Sequence, residues 1–553
     1  MFFRWEIIIN DFLVIVFLMK DIISMNDFTK DEIIAVLDCA KEVKEAIHDE
    51  NLAKRFEEKY SKSVKDLLKG EKVATLFLEN STRTNFSTRA AAGEAGAFVD
   101  GFATMEHTSL KKGETWEQTI CMFAGYGYSS IVMRSTWEGL SRWSVEALEK
   151  NQKHINEISN NLKTIYSYKR PFIINAGDGR NQHPTQCFLD LFTIREVANS
   201  HGKGLDNLDI SFLNDLKYGR TNASLMSVAP LFNFRLHLAH PPRFGPDKNK
   251  IGFLKSKGVM VIDYKENFLE ALRNSFVAYH SRPQKERVAK GEDLFTIKKM
   301  GQINKKMFDE LESSAPYLMH PLPVDSKTFE EISFDMRYHP KNITTLQSSN
   351  GLYVRIALLA FGLKKIDFPI GSKIIINNNV SLIELETNGK ERELTNPRSG
   401  YIDGDGIVID HIPLGKARRL AGIIGLENRE VPKVISDYMP SKKGDVPKKD
   451  MIKIHLKYEL DRKQLQAIAM IAPLATISII DDSRVVRKFR AKLGNFVEGR
   501  IVCGNQNCIT NVVFEPVENK HKYLGNNFFQ CHYCEKMDTL DLIYNEKRFI
   551  YVE

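Results

Sequence analysis

Asn80-Ser81-Thr82-Arg83-Thr84 stands between an apolar run, Val73 to Glu79, and an Ala-rich stretch of helical character. A strand running into the first turn of a helix offers unpaired N–H groups and a partial positive charge. Three hydroxyls and one guanidinium are added to them here, which makes a cradle for phosphate. Taken alone, the segment reads first as a plain serine or threonine N-cap. Further segments with chemically capable side chains follow: Thr108 to Thr115, Val132-Met133-Arg134, Ala176 to Gln186, Asp215 to Thr221, Ser281 to Arg287, and His320-Pro321-Leu322-Pro323. Near the C-terminus, Cys503 and Cys508 form one close pair, and 22 intervening residues lead from Cys508 to a second pair, Cys531 and Cys534. Two such pairs are what a closed four-thiolate zinc site requires. A redox pair at Cys531 and Cys534 would leave the first pair unexplained, His532 is a bystander, and Cys39, Cys121 and Cys187 read as packing residues.

The elements that must position these groups are legible as alternating patterns. Thr29-Lys30-Asp31-Glu32 is a capping box, and Ile33, Ile34, Val36, Leu37, Ala40, Val43 and Ile47 follow at helical spacing. Strand-like runs recur at Val73–Leu78, Ser130–Met133, Phe172–Asn175, Leu208–Leu213, Arg235–Ala239, Val259–Asp263 and Ser275–Tyr279, with helical patterns between them. This alternation predicts parallel α/β layers in two lobes, with ligands at the carboxyl ends of the strands. A closing helix is predicted near Val354–Leu363. From Lys364 the texture turns to Asn377-Asn378-Asn379, Asn388-Gly389 and Asn396 to Gly400, which is linker composition. A small α+β unit begins near Gly406, with strands at Gly406–Ile412, Met451–Leu456 and Ala475–Ile480 and a helix at Gln464–Ile471. The cysteine pairs occupy a last unit from Arg500.

The whole composition agrees with several cores. At 553 residues, 43% apolar and 27% charged, the chain predicts two to four domains and excludes a disordered, collagen-like or disulfide-stapled protein. The net charge of +8 is mild at this length; it suits anionic small molecules and implies no nucleic acid. Residues 7–19 are largely apolar, but Asn10 and Asp11 interrupt them and the remaining run is too short to span a bilayer. Residues 1–18 therefore read as an over-extended start or a packed extension, with no membrane role and a cytoplasmic location expected.

In their order and spacing, these motifs resemble the aspartate/ornithine carbamoyltransferase superfamily from about Met19 to Leu363, with details favouring the aspartate carbamoyltransferase catalytic chain. The resemblance implies contacts to carbamoyl phosphate from Ser81, Thr82, Arg83, Thr84, Arg134, His183 and Gln186, and from the carbonyls of Leu322 and Pro323. His183, with Arg83 and Thr84, would polarise the carbonyl. Arg220, Arg282 and Gln284 would bind aspartate, whose two carboxylates suit guanidinium forks. Ser109 and Lys112 would reach a neighbouring subunit's site, so that a homotrimer is the minimum assembly. The residues with catalytic roles are Arg83, Thr84, Lys112, Arg134 and His183, with no catalytic metal or organic cofactor. An ornithine carbamoyltransferase is the alternative within the superfamily; its usual thiol is absent from His320-Pro321-Leu322-Pro323, and Arg282 has the wrong charge for ornithine's ammonium. A nucleotide-binding scaffold with an inactive catalytic lobe is the other alternative. Asn85, Phe86-Ser87-Thr88 and Val324 depart from the aspartate pattern and bear on loop geometry and rate.

From Gly406 to Glu535 the chain resembles the regulatory chain of aspartate carbamoyltransferase. That resemblance implies nucleoside triphosphate effectors, CTP and ATP, at Asp410, His411, Lys453 and Lys488, and one structural zinc on Cys503, Cys508, Cys531 and Cys534. The expected layout is an extension at 1–18, a carbamoyl-phosphate domain at 19–170, an aspartate domain at 171–365, a linker at 366–402, a nucleotide domain at 403–498 and a zinc domain at 499–553. The fold class expected is two doubly wound parallel-sheet lobes, then an α+β domain, then a small zinc-binding β domain. The expected reaction makes N-carbamoyl-L-aspartate and phosphate in pyrimidine synthesis.

Overall fold

A computed structural model describes residues 20–164, 169–284, 301–325, 330–366, 380–386, 402, 404–426, 431–440 and 448–550. The 1–18 extension, Lys285 to Arg287 and the Asn-rich linker motifs lie outside them. The chain divides into two compact units, one of residues 17–372 with 507–515, the other of residues 373–506 and 516–553.

The larger unit opens with helix α1 (Lys30–His48), whose capping box is formed as its sequence predicts: the Thr29 side chain accepts from Glu32 N–H and the Glu32 carboxylate from Thr29 N–H. After helix α2 (Glu50–Tyr60), strands β1 (Lys72–Phe77), β2 (Phe98–Phe102), β3 (Ser130–Ser135) and β4 (Phe172–Asp178) form a parallel sheet in the order β2-β1-β3-β4. Helices α3 (Thr82–Glu94), α4 (Trp116–Gly125) and α5 (Leu140–Leu162) connect them. A second parallel sheet follows in the order β7-β6-β5-β8-β9, from β5 (Asp209–Asn214), β6 (Arg235–Ala239), β7 (Val261–Asp263), β8 (Val277–Ser281) and β9 (Tyr317–Met319). Helix α6 (Pro184–Ser200) leads from the first lobe to the second, and α7 (Arg220–Ser227) follows β5. One continuous core joins α1, α6 and the helix Thr344–Gly362 to both sheets. These are the two parallel lobes expected.

Residues 507–515 pack within this unit. Glu138 N–H donates to Asn507 O and Ile509 N–H to Glu138 O, at 2.8 and 2.9 Å. The buried Glu515 carboxylate accepts from Trp116 N–H and, at 3.1 Å, from Trp143 Nε1–H. Burial raises its pKa above the usual carboxylate range.

The other unit holds an antiparallel sheet in the order β10-β15-β14-β11-β13-β12, from β10 (Val380–Glu384), β11 (Gly406–Ile412), β12 (Lys433–Pro440), β13 (Lys448–Ile454), β14 (Thr476–Asp481) and β15 (Arg484–Leu493). Its apolar cluster includes Ile407, Ile409, Ile452 and Ile454 with residues of helices Ala417–Ile423 and Arg462–Ile471. Strand β10 falls inside the segment read as linker. Its five residues pair with β15 from Val380↔Leu493 to Glu384↔Phe489, an edge pairing that so short a run does not announce. A four-stranded antiparallel sheet, β16 (Phe496–Glu498), β17 (Lys520–Tyr523), β18 (Phe528–Cys531) and β19 (Met537–Thr539), follows. Among the described residues, no helix is long and apolar enough to cross a membrane.

Candidate active site

Six chain segments in the larger unit meet at carboxyl ends of strands, where an open parallel sheet leaves a crevice. Ser81 follows β1, Arg134 lies near the end of β3, the turn to His183 leaves β4, Asp215 follows β5, Arg282 follows β8 and His320 follows β9. They line a cavity of about 410 Å³ that includes Ser81, Thr82, Arg83, Thr84, Arg134, His183, Gln186, Arg220, Arg282, Gln284, Leu322 and Pro323.

Ser81 occupies the N-cap position of α3, but its side chain makes no capping hydrogen bond. The first-turn N–H groups of α3 therefore keep their capacity for an anion, which decides against the plain N-cap. Asn85, which departs from the aspartate pattern, is buried one turn into the same helix and does not line the cavity.

The turn after β4 is held by Asp178. Its carboxylate accepts from Gly139 N–H at 2.7 Å and from Asn175 Nδ2, Gln182 N–H and Asn181 Nδ2, each at 3.0 Å. Burial still pushes this carboxyl up to about 6. His183 follows as the N-cap of α6, with Pro184 at the first helical position, a place where proline's missing N–H costs nothing. Its backbone N–H donates to Ser224 Oγ at 2.8 Å, and Ser224 Oγ–H donates to Gln182 Oε1 at 2.6 Å. Thr185 Oγ1 lies 3.3 Å from His183 Nδ1.

Two of the arginines, Arg220 and Arg134, share one carboxylate. Arg220, buried at the start of α7, donates through Nη1 to Glu79 Oε2 at 2.8 Å and to Gly179 O at 3.1 Å, and Arg134 Nε lies 3.4 Å from the same Glu79 oxygen. Gly177 has φ +116°, and a Cβ there would stand 2.9 Å from Arg220 Cζ and 3.2 Å from Arg134 Nη1. Arg282 and Gln284 sit on the segment after β8, where Gln284 N–H donates to Asp215 Oδ2 at 2.9 Å. Leu322 N–H donates to His320 Nδ1 at 2.8 Å, and Leu322-Pro323 is a cis peptide.

Ser109 and Lys112 are not brought to this cavity. They lie on an exposed 3-10 turn, Ser109–Lys112, and neither is among the lining residues. Sequence reasoning also missed Glu79, Asp190, Gln347 and Arg355. The last two line the cavity, and Arg355 is lowered to about 10 by burial. Asp190 offered one signal, a lone carboxyl inside the apolar run Cys187 to Phe192.

In the smaller unit, Lys453, Val408, Ser478 and Lys488 are successive cross-strand partners, so they share one face of the sheet; Asp410, two residues along β11, shares it too. Asp410 Oδ2 accepts from Lys449 Nζ at 2.6 Å and lies 3.3 Å from His411 Nδ1. Lys449 was not foreseen. Apart from that sheet, the thiols of Cys503, Cys508, Cys531 and Cys534 are all buried, unoxidised and within 4.8 Å of one another. Cys503 and Cys534 sulfurs are 3.5 Å apart, close to the ~3.8 Å edge of a tetrahedron with zinc–sulfur bonds of ~2.3 Å. The set fits one structural zinc ion, and His532 is outside it.

In comparisons with known proteins, domain families match four successive regions of the chain. The carbamoyl-P binding domain of aspartate/ornithine carbamoyltransferases matches residues 20–196, and their Asp/Orn binding domain matches residues 206–361. The allosteric and metal binding domains of the aspartate carbamoyltransferase regulatory chain match residues 403–492 and 495–543. An aspartate carbamoyltransferase catalytic subunit of Bacteroides fragilis is 34% identical over 309 residues, which is 56% of this chain and 89% of that one. A protein of Treponema denticola named Protein PyrBI is 28% identical over 561 residues, 96% of this chain and 99% of its own. The solved catalytic subunit of M. jannaschii aspartate transcarbamoylase is 33% identical, with a TM-score of 0.48, covering 62% of this chain and 96% of that one.

Proposed function

The chain belongs to the aspartate/ornithine carbamoyltransferase family, with both regulatory-chain domains of aspartate carbamoyltransferase behind its two catalytic lobes, and from this we propose that it carbamoylates the amino group of L-aspartate. The observation that carries the reading is the convergence of the α3 N-terminus, Arg134, His183, Gln186, Arg220, Arg282 and the Leu322-Pro323 turn on one cavity. Phosphate of carbamoyl phosphate sits at the α3 N-terminus against Ser81, Thr82, Arg83, Thr84 and Arg134, where N–H groups and guanidiniums oppose its charge. The carbamoyl NH2 donates to Gln186 Oε1 and to the carbonyls of Leu322 and Pro323. Arg220 and Arg282 take the two carboxylates of aspartate, with Gln284 beside them. The amine forms a C–N bond with the carbamoyl carbon, the C–O bond to phosphate breaks, and the amine proton leaves with the phosphate. His183, Arg83 and Thr84 oppose the charge that develops on the carbonyl oxygen, so catalysis rests on positioning and fixed donors.

Ser109 and Lys112 complete the site of an adjacent copy in a trimer or larger homo-oligomer; their exposure away from their own cavity supports this. A nucleoside triphosphate such as CTP or ATP binds the sheet face that carries Asp410, Lys453 and Lys488, with His411 at its edge. Cys503, Cys508, Cys531 and Cys534 hold a zinc ion that crosslinks their loops and takes no part in the reaction.

Steady-state assay of His183→Ala tests the assignment. Loss of one oxyanion donor is expected to lower kcat about 10²–10³-fold with the fold intact by circular dichroism; unchanged turnover would reject the role given to His183.

A further inference from the structure

Gln186 is held from behind by a buried carboxylate that does not itself line the cavity. Asp190 lies one helical turn further along α6, with no solvent exposure, among Cys187, Leu189 and Leu191. An ionisable group there is costly unless paired. Three donors converge on it: Gln186 Nε2 at 2.9 Å and Gln347 Nε2 at 2.7 Å on Oδ1, and Tyr279 O–H at 2.7 Å on Oδ2. The buried Arg355 adds electrostatic attraction, against burial that pushes the carboxyl up to about 7.

A carboxylate only accepts, so a glutamine facing it must turn its nitrogen inward. While Asp190 is ionised, Gln186 therefore cannot flip. Its Oε1, which has no partner among the described residues, is the end left for the cavity that Gln186 lines. Gln347 is set by the same oxygen: with Nε2 on Asp190, its Oε1 accepts from His320 N–H at 2.9 Å. His320 Nδ1 in turn accepts from Leu322 N–H, which anchors the turn presenting the Leu322 carbonyl. One buried carboxylate thus fixes two acceptors, a side-chain amide oxygen and a peptide carbonyl.

We propose that Asp190 is a positioning residue for substrate discrimination: by fixing the amide orientation of Gln186 it makes the site select an acyl phosphate bearing NH2 over one bearing a methyl group. The proposal rests on the reading of Gln186 and Leu322 as acceptors for the carbamoyl NH2. A methyl isostere would leave both acceptors dry and unpaired, the situation in which polar sites discriminate most strongly. Replacement of Asp190 by asparagine allows the reverse arrangement, in which the new side-chain amide donates to Gln186 and the Gln186 NH2 faces the substrate's NH2.

Equilibrium binding to the full chain, by titration calorimetry, tests this with two stable probes, phosphonoacetamide and acetonylphosphonate, which differ only by NH2 for methyl. The unsubstituted chain is expected to favour the amide about ten-fold or more. Asp190→Asn, which admits both orientations of Gln186, should lower the ratio by weakening the amide alone. Equal weakening of both probes, or an unchanged ratio, would overturn the proposal. The double variant Gln186→Glu with Asp190→Asn restores a donor behind and an acceptor in front, so it should recover the preference. If Asp190→Asn does not fold, the double variant carries the test, and a ratio near one overturns the proposal. Gln186→Met separates the two layers: an unchanged ratio removes the reading of Gln186 and the proposal with it, whereas loss in Gln186→Met but not in Asp190→Asn removes the proposal alone.

Discussion

Gly177 shows how tightly the site is drawn at the scale of single residues. Its φ of +116° is open to glycine and strained for other residues, and the space beside it is filled by Arg220 and Arg134. Gly177→Ala is expected to lower kcat/KM about ten-fold or more, because a methyl group there displaces guanidiniums that must meet phosphate and carboxylate to within a fraction of an ångström. Steady-state kinetics with both substrates varied checks this, and wild-type kinetics would mean that the two arginines have room to move. The residues that such groups act upon were legible in the sequence because phosphate and carboxylate chemistry calls for Ser, Thr and Arg in recognisable order. Asp190 and Glu79 were not, since each acts on another side chain. Tyr279 and Gln347, which give Asp190 its meaning, lie 89 and 157 residues away from it in the chain.

Among elements, strands rich in apolar residues were read almost to the residue, as at Arg235–Ala239 and Gly406–Ile412. The helix expected near Val354 begins instead at Thr344. Its first half carries Gln347 and Asn350, polar side chains that are buried because Asp190, Thr193 and Glu196 bond to them, so hydrophobic periodicity does not register them. Strands β2, β9 and β10 escaped for a related reason: each is a short edge strand, and polar residues interrupt β2 and β10. The resemblance implies that the zinc unit docks on the catalytic lobes, but not that Glu515 would find two buried N–H groups there, which no local pattern announces. Glu515→Ala leaves Trp116 N–H and Trp143 Nε1–H without that acceptor and is expected to cost about 2–3 kcal/mol. A fall in thermal midpoint by differential scanning calorimetry checks it; an unshifted transition would show that water replaces the carboxylate.

For the molecule as a whole, a net charge of +8 predicts little, whereas its local placement predicts a good deal: arginines gather at one cavity and lysines on one sheet face. Lys112 and His183 belong to the same site only if two copies share it. Mixtures of Lys112→Ala and His183→Ala chains, dissociated and reassembled together, are expected to regain activity that neither has alone, because some shared sites then carry both native residues. No recovery in assembled mixtures would place Lys112 outside the chemistry. The central claim, transfer of a carbamoyl group to aspartate, is tested most directly by ¹³C NMR of the product. Carbamoyl phosphate labelled at its carbonyl carbon is supplied with equimolar L-aspartate and L-ornithine. The account predicts that the label passes to N-carbamoyl-L-aspartate, whereas label in the ornithine product, or none in either, would contradict it.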